Sequence, residues 1–93
     1  MMIRSFKHKG LRRFYESGNT AGIVTIHAKK LRLILTNLDS ARFPSDMNLP
    51  SLNLHPLKGD RHDFWSVRVS GDWRVTFRFI EEDIEIVNYE DYH

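Results

Sequence analysis

The chain contains no cysteine, so a disulfide staple and a thiolate metal site are both closed to it, and a reducing, cytoplasmic setting is expected. No apolar run approaches the ~20 residues that a membrane-spanning helix needs. Met1-Met2-Ile3-Arg4-Ser5-Phe6 does not lead into the apolar core of a signal peptide, so no membrane association is expected. The local signatures of common chemistries are missing too: there is no Walker loop, dinucleotide glycine pattern, Gly-x-Ser-x-Gly elbow or His-Glu-x-x-His pair. The five histidines (8, 27, 55, 62 and 93) lack ligand spacing, which leaves no metal site or cofactor to expect. Positive charge is also absent from residues 81–93, which carry six acids and neither lysine nor arginine.

That last absence has a counterpart. Residues 1–80 hold all 14 lysines and arginines against six acids, so a net charge of only +2 conceals a strongly basic body. Such a body suits a polyanion partner, although many small soluble domains are mildly basic without one. Ninety-three residues make a single domain spanning 1–93, with one modest core. Apolar and charged fractions of 41% and 28% are ordinary for a folded chain and argue against disorder.

Period and punctuation suggest an order of elements. Ile3–Phe6 reads as a short first strand. Lys7–Tyr15 reads as a short helix with Leu11, Phe14 and Tyr15 on one side, ended by Gly18-Asn19, and Gly22 is expected to keep the connector loose. Val24, Ala28, Leu31, Leu35 and Leu38, widened by Ile34, form the stripe of a second helix over about residues 23–39. The proline-bearing stretch 43–50 is a loop, 51–55 alternates as a strand, and Lys58–Arg61 is a turn in which Gly59 can take a positive φ. Residues 65–69, 73–79 and 84–90 follow as three more strands. Helices grouped before an antiparallel run predict an α+β fold, with a helical hairpin on one face of the sheet. Trp73, Val75, Phe77 and Phe79 would then face the helices, leaving Arg74, Thr76 and Arg78 on the open face.

The end of the chain, Asn88-Tyr89-Glu90-Asp91-Tyr92-His93, is rich in chemistry where most termini are frayed. With the turn bearing His55 and Lys58, and with Arg74 and Arg78, it can furnish a metal-free way to cut RNA through its own 2′-hydroxyl. That reaction needs a base for the hydroxyl, an acid for the departing 5′-oxygen and cations for the phosphate. Imidazole side chains such as those of His55 and His93 suit proton transfer, Lys58, Arg74 and Arg78 can hold phosphate, and Tyr92 can stack on a base. Each has a plainer reading. His55 precedes a proline and can be a polar turn residue; Arg74 and Arg78 can be a solvated sheet face, and Lys58 and Arg61 merely flank a glycine turn. Asp91 can partner Arg74 or Arg78 as easily as orient a histidine. Tyr89 and Tyr92 fall on opposite faces, so one belongs to the core, as do Trp65 and Trp73; His8, His27 and His62 read as surface residues. The residues alone lead to a small α+β domain with a basic face suited to RNA.

Several stretches together carry a resemblance. Leu54-His55-Pro56-Leu57-Lys58-Gly59-Asp60-Arg61, Trp65-Ser66-Val67-Arg68-Val69, Asp72-Trp73-Arg74-Val75-Thr76-Phe77 and Tyr89-Glu90-Asp91-Tyr92-His93, with the opening Ile3-Arg4-Ser5-Phe6-Lys7-His8-Lys9-Gly10-Leu11, closely resemble the HigB toxins. These are a branch of the RelE-like toxins of type II toxin–antitoxin systems, also described as plasmid-maintenance killer proteins. The resemblance implies a RelE-like, microbial-ribonuclease-type fold and a ribosome-dependent mRNA endonuclease that enters the 30S A site, cuts the codon there without a metal and stops translation. By motif, His55, Asp91, Tyr92 and His93 fall on the catalytic positions, and Lys58 and Arg74 on basic positions near the phosphate; the split of base and acid is left open. His55 and His93 are the proton-transfer candidates, Asp91 an orienter or base, and Tyr92 a stacking or orienting group. A helix-turn-helix antitoxin, HigA-like, is the implied partner, and operator DNA would be met only through that complex. Two positions depart from the family pattern: Asp72 stands where asparagine is expected, and Glu81-Glu82-Asp83 is unusually acidic. The rival readings are a catalytically silent RNA- or ribosome-binding module and, last, a structural or DNA-binding subunit.

Overall fold

The apolar stripes of the first half of the chain do form two helices, and both lie against one face of an antiparallel sheet. The computed structural model describes residues 2–92. Helix α1 is Lys9–Ser17, two residues later than expected, because His8 acts as its cap: the Nδ1 atom accepts from the Leu11 N–H at 2.9 Å. At the other end, the Gly18 N–H donates to the Phe14 carbonyl at 2.8 Å. Helix α2 is Ala28–Ser40, and the residues before it, Thr25–His27, make a separate 3₁₀ turn instead of extending the helix back to 23. Val24 is extended at φ −72°, ψ 118°, which breaks the helix there. Leu31, Ile34, Leu35 and Leu38 are buried as the spacing required. The Tyr15 hydroxyl donates to Asp39 at 2.6 Å and ties α1 to α2; that hydrogen bond, then burial, pushes the phenol up to about 12.

The sheet runs β1 (His55–Pro56), β2 (Phe64–Ser70), β3 (Trp73–Ile80) and β4 (Asp83–Asp91), each antiparallel to the next in simple meander order. Two expectations about strands need correction. The alternation of 51–55 gives strand only at His55–Pro56, since Ser51 and Asn53 take positive φ values of 73° and 50° and turn the chain; the Leu52 carbonyl still accepts from the Arg68 N–H at 2.6 Å. Residues 3–6 form no strand of their own. They make two isolated parallel bridges to β4, Ile3 with Ile84 and Phe6 with Val87.

Those bridges flank an irregularity that decides the orientation of the terminus. Thr76 pairs with Asn88 but Arg78 pairs with Glu85, so β4 carries one extra residue between them. Ile86 sits in this bulge at φ 55°, a strained value for a β-branched residue, and its N–H is taken up by the Ser5 hydroxyl at 2.8 Å. The extra residue shifts the alternation, so Ile84, Val87 and Tyr89 are the buried positions.

The core lies between the helices and the sheet, built from Leu11 and Phe14 of α1, the α2 stripe, and Val67, Val75, Phe77, Val87 and Tyr89 of the sheet. Each fully buried apolar side chain of this kind contributes about 1.5–3 kcal/mol. Trp65, Trp73 and Phe79 pack on it while only partly buried. Two histidines expected at the surface belong to this side of the molecule. His27 is buried and shares a 2.5 Å hydrogen bond with the Tyr89 hydroxyl, beside the Trp73 ring at 5.7 Å. His8 stands edge-on to Tyr89 at 5.2 Å. Burial lowers the pKa of both.

Gly22 does not loosen its connector; it allows contact. A Cβ added to Gly22 would lie 2.6 Å from the Gly10 Cα, and one added to Gly10 would lie 2.8 Å from Gly22 carbon atoms. Backbone meets backbone here, and neither side has a flexible tip that could yield.

Two outcomes follow. Gly10→Ala should destabilise the fold by about 1–3 kcal/mol, measured as a lowered urea midpoint. Because His27 binds a proton less well folded than unfolded, its share of stability is complete above the ordinary value of 6.5 and is lost as pH falls below it. Lowering pH from about 7.5 to about 5.5 should therefore lower the midpoint, and His27→Phe should shrink that dependence.

Candidate active site

The face of the sheet turned away from the helices is ordered by strand register into rows. One row is His55, Ser66, Thr76 and Asn88, each opposite the next across β1 to β4. The adjoining row is Arg68, Arg74 and Glu90, and on the other side lies Phe64, Arg78 and Glu85. The last rung of β3 and β4 pairs Trp73 with Asp91. One step further, the Tyr92 N–H donates to the Asp72 carbonyl at 2.9 Å, so the hairpin between β2 and β3 holds the chain's end.

Within that frame the expected residues fall as follows. His55 is partly exposed, and its Nδ1 lies 2.9 Å from the Asn53 carbonyl. A carbonyl only accepts, so Nδ1 carries the hydrogen, and in the neutral ring Nε2 keeps its lone pair. Lys58 is exposed with no partner among the described residues, set before Gly59, whose φ of 70° turns the chain sharply. Arg74 bends back to the Gly71 and Trp73 carbonyls (3.0 and 3.3 Å) and lies 6.0 Å from the Tyr92 ring centroid, while its Nε is buried without a partner. Ser66 Oγ, in the His55 row, is buried and unpartnered as well. Buried polar atoms left unpaired are rare and costly.

Arg78 is differently placed. Its guanidinium is engaged by Glu85 through Nε (2.7 Å) and Nη2, and by Asp63 through Nη1 (3.0 Å). Asp91 follows the strand's alternation to the helix-bearing side, opposite Trp73, where its charge bears on Tyr89. Tyr92 and Glu90 share the open face. His93 lies outside the described residues. Asp72 is exposed and contributes its carbonyl to the terminus, and the acidic turn has structural duties: Glu82 pairs with Arg42 (2.8 Å) and Asp83 with Arg4 (2.8 Å).

Three residues at the centre of the face were not singled out from sequence. Arg61 reaches from the turn after β1 across to β4, donating to Glu90 at 2.8 Å and to the Tyr92 hydroxyl at 2.6 Å. Glu90 also accepts from the Thr76 hydroxyl at 2.7 Å. Alternation already sets Thr76 on this face between Arg74 and Arg78, and it could have found Glu90, which shares parity with Tyr92. Nothing in the pattern marks Arg61, because a turn residue has no period. Burial alone would raise the Glu90 carboxyl, but hydrogen bonds from Arg61 and Thr76 and the charge of Arg61 hold it below its ordinary value. Among the described residues no cluster of three or more His, Cys, Asp or Glu could hold a metal ion.

A face with a free imidazole nitrogen, free and half-paired cations, and a tyrosine between two guanidinium groups can bind and process a phosphodiester. The comparison with known proteins bears on this directly. Residues 4–93 match the model of the HigB-like toxin family, described as the RelE-like toxin of type II toxin-antitoxin system HigB. The chain belongs to the HigB-like toxins. Over 92 residues, which are 99% of this chain and all of the relative, it is 46% identical to a protein of Proteus vulgaris named Endoribonuclease HigB. Two solved structures share the fold of this toxin: a YoeB/ParE toxin from Agrobacterium tumefaciens, with a TM-score of 0.64 over all of both chains at 18% identity, and a YafQ mutant from E. coli. The second has a TM-score of 0.54 over 96% of this chain and 90% of its own, at 15% identity. Type II membership implies an antitoxin partner for the HigB-like toxin described here. No helix among the described residues is long and apolar enough to cross a membrane.

Glu90→Gln tests the central carboxylate. Because its folded value is depressed, the stability Glu90 contributes is present above the ordinary 4.5 and is lost as pH falls through the folded value. The wild-type urea midpoint should fall more steeply than that of Glu90→Gln between about pH 5 and about pH 3.

Proposed function

We propose that this HigB-like toxin is an endoribonuclease that cuts mRNA in the ribosomal 30S A site and so halts translation. The supporting observation is the open face itself, where the sheet carries Tyr92 between the Arg61 and Arg74 guanidinium groups, 5.8 and 6.0 Å from its ring, on the face that bears His55. The relative's name, Endoribonuclease HigB, supports the same chemistry. A base takes the proton of the 2′-hydroxyl, the 2′-oxygen attacks phosphorus, the bond to the 5′-oxygen breaks and an acid protonates that oxygen. The products are a 2′,3′-cyclic phosphate and a free 5′-hydroxyl.

His55, with Nε2 available, and His93, next after Tyr92 in the chain, share the two proton transfers. Lys58 and Arg74 hold the phosphate. Arg78, held by two carboxylates, supports them by fixing the edge of the face. Tyr92 stacks on a base or orients the scissile nucleotide, and Asp91, on the helix-bearing side, acts as an orienter of the terminus. The reaction runs on side chains without a metal. The antitoxin partner is a HigA-like helix-turn-helix protein, the site of action is cytoplasmic, and operator DNA is reached only through that complex.

Primer extension on mRNA held in programmed ribosomes, beside naked RNA, tests this. The expected result is a cut within the A-site codon that is absent from naked RNA. His55→Ala should slow it by roughly 10²–10⁴-fold. A folded protein that co-sediments with ribosomes and cuts neither sample would instead be a silent binding module.

A further inference from the structure

Arg61 departs from what a turn residue ordinarily does. Exposed salt bridges contribute little and are seldom held in one geometry. The Arg61–Glu90 pair differs, because its acceptor is itself fixed. Glu90 is held in the ladder opposite Arg74, and its Oε2 also accepts from Thr76, which is buried in β3. The same guanidinium then turns a second nitrogen to the Tyr92 hydroxyl at 2.6 Å and lies 5.8 Å from the ring centroid. A continuous path therefore runs from the interior to the chain's last described residue: Thr76, Glu90, Arg61, Tyr92.

We propose that Arg61 is a positioning residue of the nuclease site, a guanidinium clamp anchored on Glu90 that sets both the hydroxyl and the ring plane of Tyr92 toward the RNA. The proposal rests on the nuclease reading of this face. Arginine suits the role because one rigid plane serves two acceptors, whereas lysine presents a single point charge and gives up one of them. In the Arg61–Tyr92 contact the guanidinium donates, so the phenol oxygen accepts and its own proton stays free for a substrate oxygen. The clamp has a second consequence. Arg61 belongs to the turn that begins at Lys58, so its hold on β4 also fixes where that turn, and with it the base of the free Lys58 side chain, stands over the face.

The test uses the full-length wild type, Arg61→Lys, Tyr92→Phe and the double variant, with single-turnover cleavage on programmed ribosomes and ribosome affinity measured separately. Arg61→Lys should cut roughly tenfold more slowly or worse at saturating ribosomes, with affinity unchanged, because a misplaced group costs rate and not docking. The double variant should lose less than the product of the two single losses, since both substitutions remove the Arg61–Tyr92 hydrogen bond. An Arg61→Lys protein that cuts at the wild-type rate, or losses that multiply in the double variant, would overturn the proposal. A readout independent of cleavage is the NMR spectrum of the tyrosine rings. Arg61→Lys should move the Tyr92 signals and leave those of Tyr15 and Tyr89 in place; unmoved Tyr92 signals would sink the clamp. A folded wild type that never cuts overturns the nuclease reading and the catalytic role of Arg61 with it, and the ring signals then report the contact alone.

Discussion

Main-chain pairing of β4 with β3, carried through to the last described residues, is the constraint on which the rest depends. A chain terminus ordinarily frays because its backbone groups are equally well satisfied by water. Here the ladder continues to Asp91, and Tyr92 adds one more hydrogen bond to Asp72. Backbone bonds fix direction as well as position, so the terminal side chains are assigned to faces by parity. The bulge at Ile86 sets that parity. With it, Val87 and Tyr89 go to the core, and Asn88, Glu90 and Tyr92 go to the open side. The N-terminal segment completes the device, since Ser5 takes up the bulged N–H and residues 3–6 cover the outer edge of β4.

Upon this frame the charges divide by role. Arg78 is neutralised by Glu85 and Asp63, Arg61 is paired with Glu90, and Lys58 has no ionic partner among the described residues. Among the described residues Arg74 touches carbonyls and an aromatic ring but no carboxylate, so its charge is likewise uncompensated there. The acids abundant in the last part of the chain thus do not cancel the basic body. They hold the cations needed for shape: Glu82 and Asp83 take Arg42 and Arg4 at a distant corner. On the open face, Lys58 and Arg74 are left without a carboxylate partner among the described residues, which suits a polyanion.

Much of this could be read beforehand, and for definable reasons. The meander, the two helices and the open-face placement of Arg74, Thr76 and Arg78 follow from periods of 2 and 3.6, which are properties of the backbone itself. The stretch 51–55 misled because alternation is also what a chain of turns with apolar anchors can show; Leu52 is buried and Ser51 and Asn53 swing outward at positive φ. His27 was misplaced for a similar reason. A histidine before a helix looks like solvent-facing punctuation until Tyr89 and Trp73, more than 40 residues away in the chain, close around it.

The sequence by itself determined the fold class, the family and the set of chemical groups at the terminus, because local periodicity and residue identity need no knowledge of distant contacts. The tertiary structure alone decided which of those groups meet. Glu90 and not Asp91 faces the centre of the open sheet, a one-residue matter of parity set by the bulge in β4. Arg61 joins Tyr92 from 31 positions away because a glycine turn throws it across three strands. Such meetings depend on register and on loop conformation, and neither is written in the spacing of residues along the chain.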